Sequence, residues 1–472
     1  MPKSRLLAVL TGTALVATAC SVGPVYQPPT APVPPAYKGL AGWKVAQPSD
    51  DASRGKWWEI FQDTQLNALA AQINVSNQNL AAAEAQLRSA RAAVRVAQAA
   101  LWPTITGGLA ISGLRQSENR GTGSSDSSGP RANLQIPLEV SYEPDVWGRI
   151  RRNVEASIAG AQASAADLET LRLSLHAELT VNYFTLRGLD AQKQLLEVTI
   201  AALGTALELT TNRYNQGVVA RIDVVQAQTA LESVRAQAIE LGVQRAQLEH
   251  AIAILIGKPP VELSIPQSPI VGEPPVVPAG LPSELLERRP DIAAAERRVA
   301  AANAQIGIAQ AALFPDVILS AAIGLESSKL VNLFSWPSLF WSVGASLTQV
   351  VLDAGRRKAV TEQVLADYDA TVANYRQMVL TAFQAVEDNL AILRILEEAA
   401  RQQERVIQAA ETALLLAINR YKGGVTTYLE VITAQSAALN AERNAVDILT
   451  RRMTAAVLLI KALGGGWRVA ST

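Results

Sequence analysis

Apolar residues recur in alternating steps of three and four from Leu66 onward: Leu66, Leu69, Ile73, Ser76, Leu80, Ala83, Leu87, Ala90, Val94, Ala97 and Leu101. That spacing holds one stripe on one side of a helix and is the seam of a coiled coil. The stripe returns at an offset of 212 in Ile292, Ala295, Val299, Ala302, Ile306, Ala309 and Leu313, after Pro290, a residue suited to the first helical position. A second stripe, Leu231, Val234, Ala238, Leu241, Arg245, Leu248, Ile252 and Leu255, has its copy at an offset of 207, with Arg452 interrupting the seam where Arg245 does. Between these stripes the pattern predicts a longer helix in each copy, about Arg149 to Thr211 and Arg356 to Ile418, free of proline. At about 1.5 Å per residue each is a rod of roughly 95 Å, and two shorter helices of about 36 residues set end to end reach a similar length. The chain therefore reads as a tandem duplication, residues 64–257 and 291–464, around a proline-rich junction at 258–290.

Where the helices stop, the period changes to two. Leu101-Trp102-Pro103 answers Leu313-Phe314-Pro315, and strands are expected at 104–114, 132–143, 316–326 and 339–350. In the last, Leu339, Trp341, Val343, Ala345 and Leu347 take one face, and Phe340, Ser342, Gly344, Ser346 and Thr348 the other. Segments of about this length cross a bilayer when tilted. Pro137 inside the second strand should mark a bulge or a missing ladder bond. The loop joining the first strand pair is longer by five residues than that joining the second, which accounts for the change of offset.

Composition narrows the chemistry. Net charge is zero, aromatic residues make up 5%, and the two histidines, His176 and His250, have no Cys, His or carboxylate constellation beside them. No metal, cofactor, nucleic-acid partner or enzymatic activity is expected. Lys3 and Arg5, the apolar run Leu6 to Val16 and the small residues before Cys20 form an export signal over residues 1–19. Ending in a cysteine, it resembles a bacterial lipoprotein signal, which implies a covalent diacylglycerol and an N-acyl chain on Cys20, and Ser21 resembles an outer-membrane destination. Residues 20–63, with repeated prolines, read as an extended strap, and 465–472 as a tail.

Four strands cannot close a barrel, and open edges are forbidden in hydrocarbon, so other copies of the chain must complete it. Two, three or four copies all give an even strand number. Trp57-Trp58 with Phe61 and Asp63, the junction Leu281-Pro282-Ser283-Glu284-Leu285-Leu286-Glu287-Arg288-Arg289-Pro290-Asp291-Ile292, and the paired motifs Arg213-Tyr214-Asn215-Gln216-Gly217-Val218 and Arg420-Tyr421-Lys422-Gly423-Gly424-Val425 resemble the outer membrane factor family, the TolC-like exit ducts, in its lipoprotein branch. The resemblance implies a mainly α protein with a β-barrel part: a homotrimer with 12 strands in the outer membrane of a Gram-negative bacterium and an α-barrel of long coiled-coil helices in the periplasm. It implies as partners a periplasmic membrane-fusion adaptor and an inner-membrane pump of the resistance-nodulation-division type, with drugs or other small molecules as cargo.

The tips, about 213–223 and 420–430, are the candidate sites. A glycine ending a helix and an acid in the next first turn explain them as simple caps. By the resemblance, Tyr214, Gly217, Val218, Tyr421, Gly424 and Val425 meet the adaptor, while Arg213, Asp223, Arg420 and Glu430 hold the gate through ion pairs between neighbouring helices and Leu429 and Glu430 form its constriction. Thr433 stands where many family members carry an aspartate. Arg88, Arg91 and Arg95 share one helix face, expected to be solvated, and Trp147 is expected at a membrane interface. Protein secretion, metal-ion efflux and a lipid-anchored structural coiled coil are the rival readings.

Overall fold

The computed structural model describes residues 22–31, 55–115, 130–275, 277 and 288–465. Cys20, the export signal, most of the strap, residues 276 and 278–287 of the junction and nearly all of the tail lie outside the described residues. Among the described residues there are seven helices: α1 Thr64–Ser76, α2 Gln78–Ala99, α3 Arg149–Asn215, α4 Arg221–Leu255, α5 Pro290–Ala311, α6 Arg356–Lys422 and α7 Tyr428–Ala462. The duplication is written in their lengths, since α3 and α6 each have 67 residues, α4 and α7 each have 35, and α2 and α5 each have 22. None of the described helices is long and apolar enough to cross a membrane.

The chain divides into two units. One holds 1–30, 87–164 and 295–375; the other holds 31–86, 165–294 and 376–472. The first unit contains the sheet, with strands β1 Thr104–Gly107, β2 Ala110–Leu114, β3 Arg131–Tyr142, β4 Asp316–Ser327 and β5 Leu339–Thr348. All neighbours are antiparallel in the order β1/β2, β3, β4, β5. The single strand expected at 104–114 is two. Gly107 faces Leu138 and Ala110 faces Gln135, so the register runs through the interruption without a bulge. Pro137 lies opposite the gap, where it has no N–H to give, and its carbonyl accepts from Gly108 at 3.1 Å. On its other side Pro137 faces Gly324, where an added Cβ would sit 2.9 Å from the proline Cα. A proline thus occupies a central strand because both flanking strands present glycine. The loop between β4 and β5 carries two short 3-10 turns, and β5 ends at Thr348, two residues before the expected boundary.

Also in this unit, residues 22–26 lie on α3 and α5. Val22 N–H donates to Trp147 O at 3.1 Å, Arg152 donates to Gly23 O at 3.3 Å, Asn303 donates to Pro24 O at 3.1 Å, and Tyr26 donates to Glu296. Burial, joined by the Glu296 carboxylate, raises the Tyr26 hydroxyl far above its ordinary pKa. Gly23 adopts φ +105°, and a Cβ there would fall 2.5 Å from the Gly307 Cα, so backbone meets backbone. Trp147 is half-buried: its indole donates to Pro315 O at 2.8 Å and stacks on Phe314 at 4.7 Å. The indole spends both its apolar face and its donor on the opposite repeat.

The second unit corrects the unbroken stripe from Leu66 to Leu101. The helix stops at Ser76, and Asn77, extended and 5% exposed, stands between α1 and α2. Its Oδ1 accepts from Leu80 N–H at 2.9 Å, and its Nδ2 donates to Leu255 O at 2.7 Å. One side chain caps the start of α2 and the end of α4, and this is how those two helices come to be set end to end. Residues Trp57–Phe61, expected within the extended strap, form a 3-10 turn with both tryptophans buried. Trp58 stacks at 4.1 Å on His176, which is 2% exposed. Burial, helped by the charge of Arg172, lowers the His176 pKa to about 4.

A buried ionic cluster ties the chain after α4 to α3. Asp190, 1% exposed on its side chain, accepts from Arg187 at 3.2 Å, Arg245 at 2.8 Å and Ser268 N–H at 3.1 Å. Arg245 also reaches Glu249 and Ile265 O, and Arg187 reaches Pro266 O. Arg245, which interrupts an apolar seam, is therefore a bolt for the junction rather than a defect in the stripe.

Candidate functional site

Two features bear on function, one in each unit. In the sheet, directly opposed residues point to the same side. The registers place Ile105, Val140, Ala321 and Val343 on one face with Leu134, Ile136, Leu138, Val317, Leu319, Ile323, Leu325, Leu339, Trp341 and Leu347. No charged residue falls among the described positions of that face. The opposite face holds Thr104, Thr106, Gln135, Glu139, Ser141, Asp316, Ser320, Glu326, Ser342 and Ser346, with Asn133 donating to Glu326 at 2.8 Å. Exposed aromatic residues, Trp102, Phe334, Trp336 and Trp341, accompany the strands and their connections. An apolar exposed face of bilayer length with a polar face behind it is the pattern of a transmembrane β-barrel wall. Its two edges, β1/β2 and β5, have no strand partner within the described chain.

In the other unit, the turns after α3 and α6 are built alike. Gly217 and Gly424 take φ of +76° and +73°. Val218 N–H donates to Arg213 O at 2.9 Å and Val425 N–H to Arg420 O at 3.0 Å, while each glycine N–H reaches the tyrosine carbonyl three residues back. Both are Schellman endings, which satisfy the last carbonyls of a helix and need a left-handed residue.

Side chains then distinguish the tips. Arg420 pairs with Glu430 at 3.2 Å, both about half exposed. Arg213 makes no ion pair with Asp223; it donates to Tyr421 O at 3.1 Å and lies 4.8 Å from the Tyr421 ring centre. The second tip's helix end supplies Arg213 with both an acceptor carbonyl and a π-face. Tyr421, expected to meet a partner protein, is 4% exposed and packs at 5.2 Å on Tyr428, itself 1% exposed. Tyr214, Gly217, Val218, Gly424, Val425 and Leu429 are exposed, and Thr433 turns its hydroxyl back to Leu429 O at 2.9 Å. Burial raises the Tyr428 pKa to about 12, and neither tyrosine hydroxyl has a hydrogen-bond partner among the described residues.

Tyr428 was missed from sequence, although its place seven residues beyond Tyr421, on the far side of a glycine turn, was a readable signal. The apolar knot of Ala227, Ala417, Tyr421, Tyr428 and Val431 fixes the two turns against each other. Behind it, between α4 and α7, lies a groove of about 460 Å³ lined by Val225, Gln226, Thr229, Leu429, Ile432 and Leu439 among others.

A sheet with one lipid-compatible face and long paired helices ending in twin turns define a channel protein of the outer membrane. The family model for outer membrane efflux proteins matches residues 69–258 and 281–465, and the chain belongs to that family. It is 32% identical over 467 residues to a probable efflux pump outer membrane protein, TtgC, of Pseudomonas putida, covering 98% of this chain and 96% of that one. It is also 32% identical to the pyoverdine export outer membrane protein OpmQ of Pseudomonas aeruginosa, over 92% of this chain and 93% of the other. The solved outer-membrane channel OprN superposes with a TM-score of 0.86 at 32% identity, over 95% of this chain and 100% of that one. The protein is an outer-membrane efflux channel, with a helical part and a β part as the sequence led one to expect.

Proposed function

We propose that three copies of this chain form the exit duct of a tripartite pump, passively carrying small molecules across the outer membrane. A periplasmic adaptor and an inner-membrane pump of the resistance-nodulation-division type deliver the cargo, and the chain performs no catalysis of its own. The observation that carries this reading is the sheet with one apolar face and two open edges: in hydrocarbon it demands closure, and β1/β2 of one copy against β5 of the next provides it. Relatives named for efflux and for pyoverdine export support small molecules over proteins as cargo.

In this reading the tips are the periplasmic end. Tyr214, Gly217, Val218, Gly424 and Val425 are the exposed surface for the adaptor, and Arg420, Glu430 and Leu429 restrict the opening. Arg213 acts by clamping the Tyr421 carbonyl, and Asp223 serves at the helix start. Cys20 carries a diacylglycerol and an N-acyl chain that hold the strap to outer-membrane lipid. An exposed ion pair contributes only about 0–1 kcal/mol, so adaptor contacts suffice to shift it.

Native mass and single-channel conductance in planar bilayers, measured on one purified sample, test the proposal. Trimers with discrete conductance are expected. Oligomers that never conduct, even with Glu430→Ala, would instead favour a lipid-anchored coiled coil.

A further inference from the structure

Within the sheet-bearing unit the repeat makes one interface visible and leaves its counterpart open. Helix α3 packs on α5 at a point where Arg152 lies over Gly307: a Cβ at Gly307 would be 3.0 Å from the arginine side chain. Arg152 is held there by Glu155 at 2.8 Å. Ala156, Ala159 and Ala163 of α3 and Asn303 of α5 are all below 9% exposed.

Repeat equivalence carries α3 onto α6 at offset 207 and α5 onto α2 at offset 212, so the matching interface would join α6 to α2. Within one chain that interface is unmade: Gln363, Ala366 and Ala370, the counterparts of the three buried alanines, are exposed. So are Arg88, Arg91 and Arg95, and among the described residues these arginines have no ion-pair or hydrogen-bond partner.

The residue types are exchanged across the two interfaces. Arg152 over Gly307 becomes Ala359 beneath Arg95, with the arginine moved to the other helix. Glu155 becomes Glu362, still an acid and exposed, with only a loose pair to Lys358 at 3.9 Å on its own helix. One heptad away on each antiparallel helix stand Arg88 and Asp369, and Asp369 is also exposed. The intervening Arg91 falls opposite Ala366, where a small residue leaves room for its stem. In the first interface Gly23 lies against Gly307; at the second the residue equivalent to Gly307 is Arg95, whose side chain is long enough to fill the corresponding volume.

We propose that Arg95 and Arg88 of α2 pair with Glu362 and Asp369 of α6 in an adjacent copy, making the seam that closes the ring of helices. The occupant of the arginine face is thus a second copy of this chain, selected by opposite charge at matching heptad spacing and by the exchange of arginine and small residue. The inference rests on the ring closure proposed above.

The test is disulfide cross-linking of the full chain bearing Arg95→Cys with Ala359→Cys, alongside each single variant, Val96→Cys with Ala359→Cys, and the native mass of the unmodified protein. Oxidation is expected to give covalent dimers and trimers only from the first pair. A native ring whose 95/359 pair does not cross-link would overturn this seam and leave the ring standing; a monomeric unmodified protein would overturn both. As a second reading, Arg95→Glu should lose most of the detergent-stable oligomer, and adding Glu362→Arg should restore it. Failure of that restoration, with cross-linking also absent, sinks the charge pairing.

Discussion

The first repeat secures its helix ends with neutral groups where the second uses charge. Asn77 donates to Leu255 O in the first; Arg289, its equivalent, donates to Ala462 O at 2.8 Å in the second and is braced by Asp291 at 2.6 Å. Gly257 and Gly464, both at positive φ, follow the two helices and approach the carbonyls of Ser76 and Arg288. The joint is the same and the chemistry is not. What is held constant is the supply of a donor to the last carbonyls of a helix that abuts another helix, since those groups cannot be left unpaired when buried. The ionic bolts differ in the other direction. Asp190 is enclosed by two arginines and a backbone donor, while its equivalent Glu397 is an exposed partner of Arg401.

That contrast can be broken most severely at Asp190. Asp190→Ala takes the carboxylate from buried Arg187 and half-buried Arg245 and should cost about 4 kcal/mol, whereas Glu397→Ala should stay within about 0.5 kcal/mol; thermal unfolding of the two variants side by side checks it. Next come the glycines. A methyl at Gly257 would stand 2.0 Å from Ser76 O and at Gly464 2.9 Å from Arg288 O, so Gly257→Ala is expected to lose about 3 kcal/mol and Gly464→Ala about 2 kcal/mol. Equal losses would show that the first joint opens as easily as the second.

Acid sharpens the comparison further, because the second repeat has Phe383 where the first has His176. The imidazole stays neutral in the fold, with its pKa lowered to about 4, and protonates near 6.5 when unfolded. The unfolded chain therefore binds the extra proton, and stability falls as pH drops from about 6.5 towards 4. Between pH 7 and pH 5 the loss is about 2 kcal/mol. His176→Phe should flatten that part of the pH–stability profile, and an unchanged slope would assign it to other groups. The smallest effect belongs to the tips. Glu430→Ala or Arg420→Ala removes an exposed pair contributing at most about 1 kcal/mol and should raise the conductance of the isolated channel. Arg213→Ala, which removes a carbonyl clamp and not an ion pair, should instead loosen the Tyr421 turn, seen as faster amide exchange there.

The helices, the duplication and the two-faced strands were legible because each rests on a period repeated over many residues. Single-residue decisions were not. The stripe runs straight through Ser76 and Asn77, yet the helix breaks there because Leu255 O and Ile256 O arrive from α4 and claim the Asn77 and Ser76 side chains. The strand at 104–114 divides because its neighbour's Pro137 gives no hydrogen bond. Tyr421 looks like a surface residue of a tip motif, and only the packing of Tyr428 and Ala227 around it makes it core. At the tips the glycine turns and the Arg420–Glu430 contact were readable as local geometry, but the partner of Arg213 depended on which helix ended nearest to it.

Equal helix lengths in the two repeats limit how such a protein can change over generations. One residue inserted into α3 or α6 would turn everything beyond it by about 100° and advance it by about 1.5 Å, exchanging buried for solvent-facing side chains along the rest of a 67-residue helix. Substitution costs one contact, whereas a change of length costs a whole face. Divergence between the copies has accordingly accumulated in residue identity and in the connection from β2 to β3, which is five residues longer than that from β4 to β5. Lineages of this protein are expected to vary freely in cargo-facing chemistry and loop size while their helices stay fixed in length, like staves cut to one pattern.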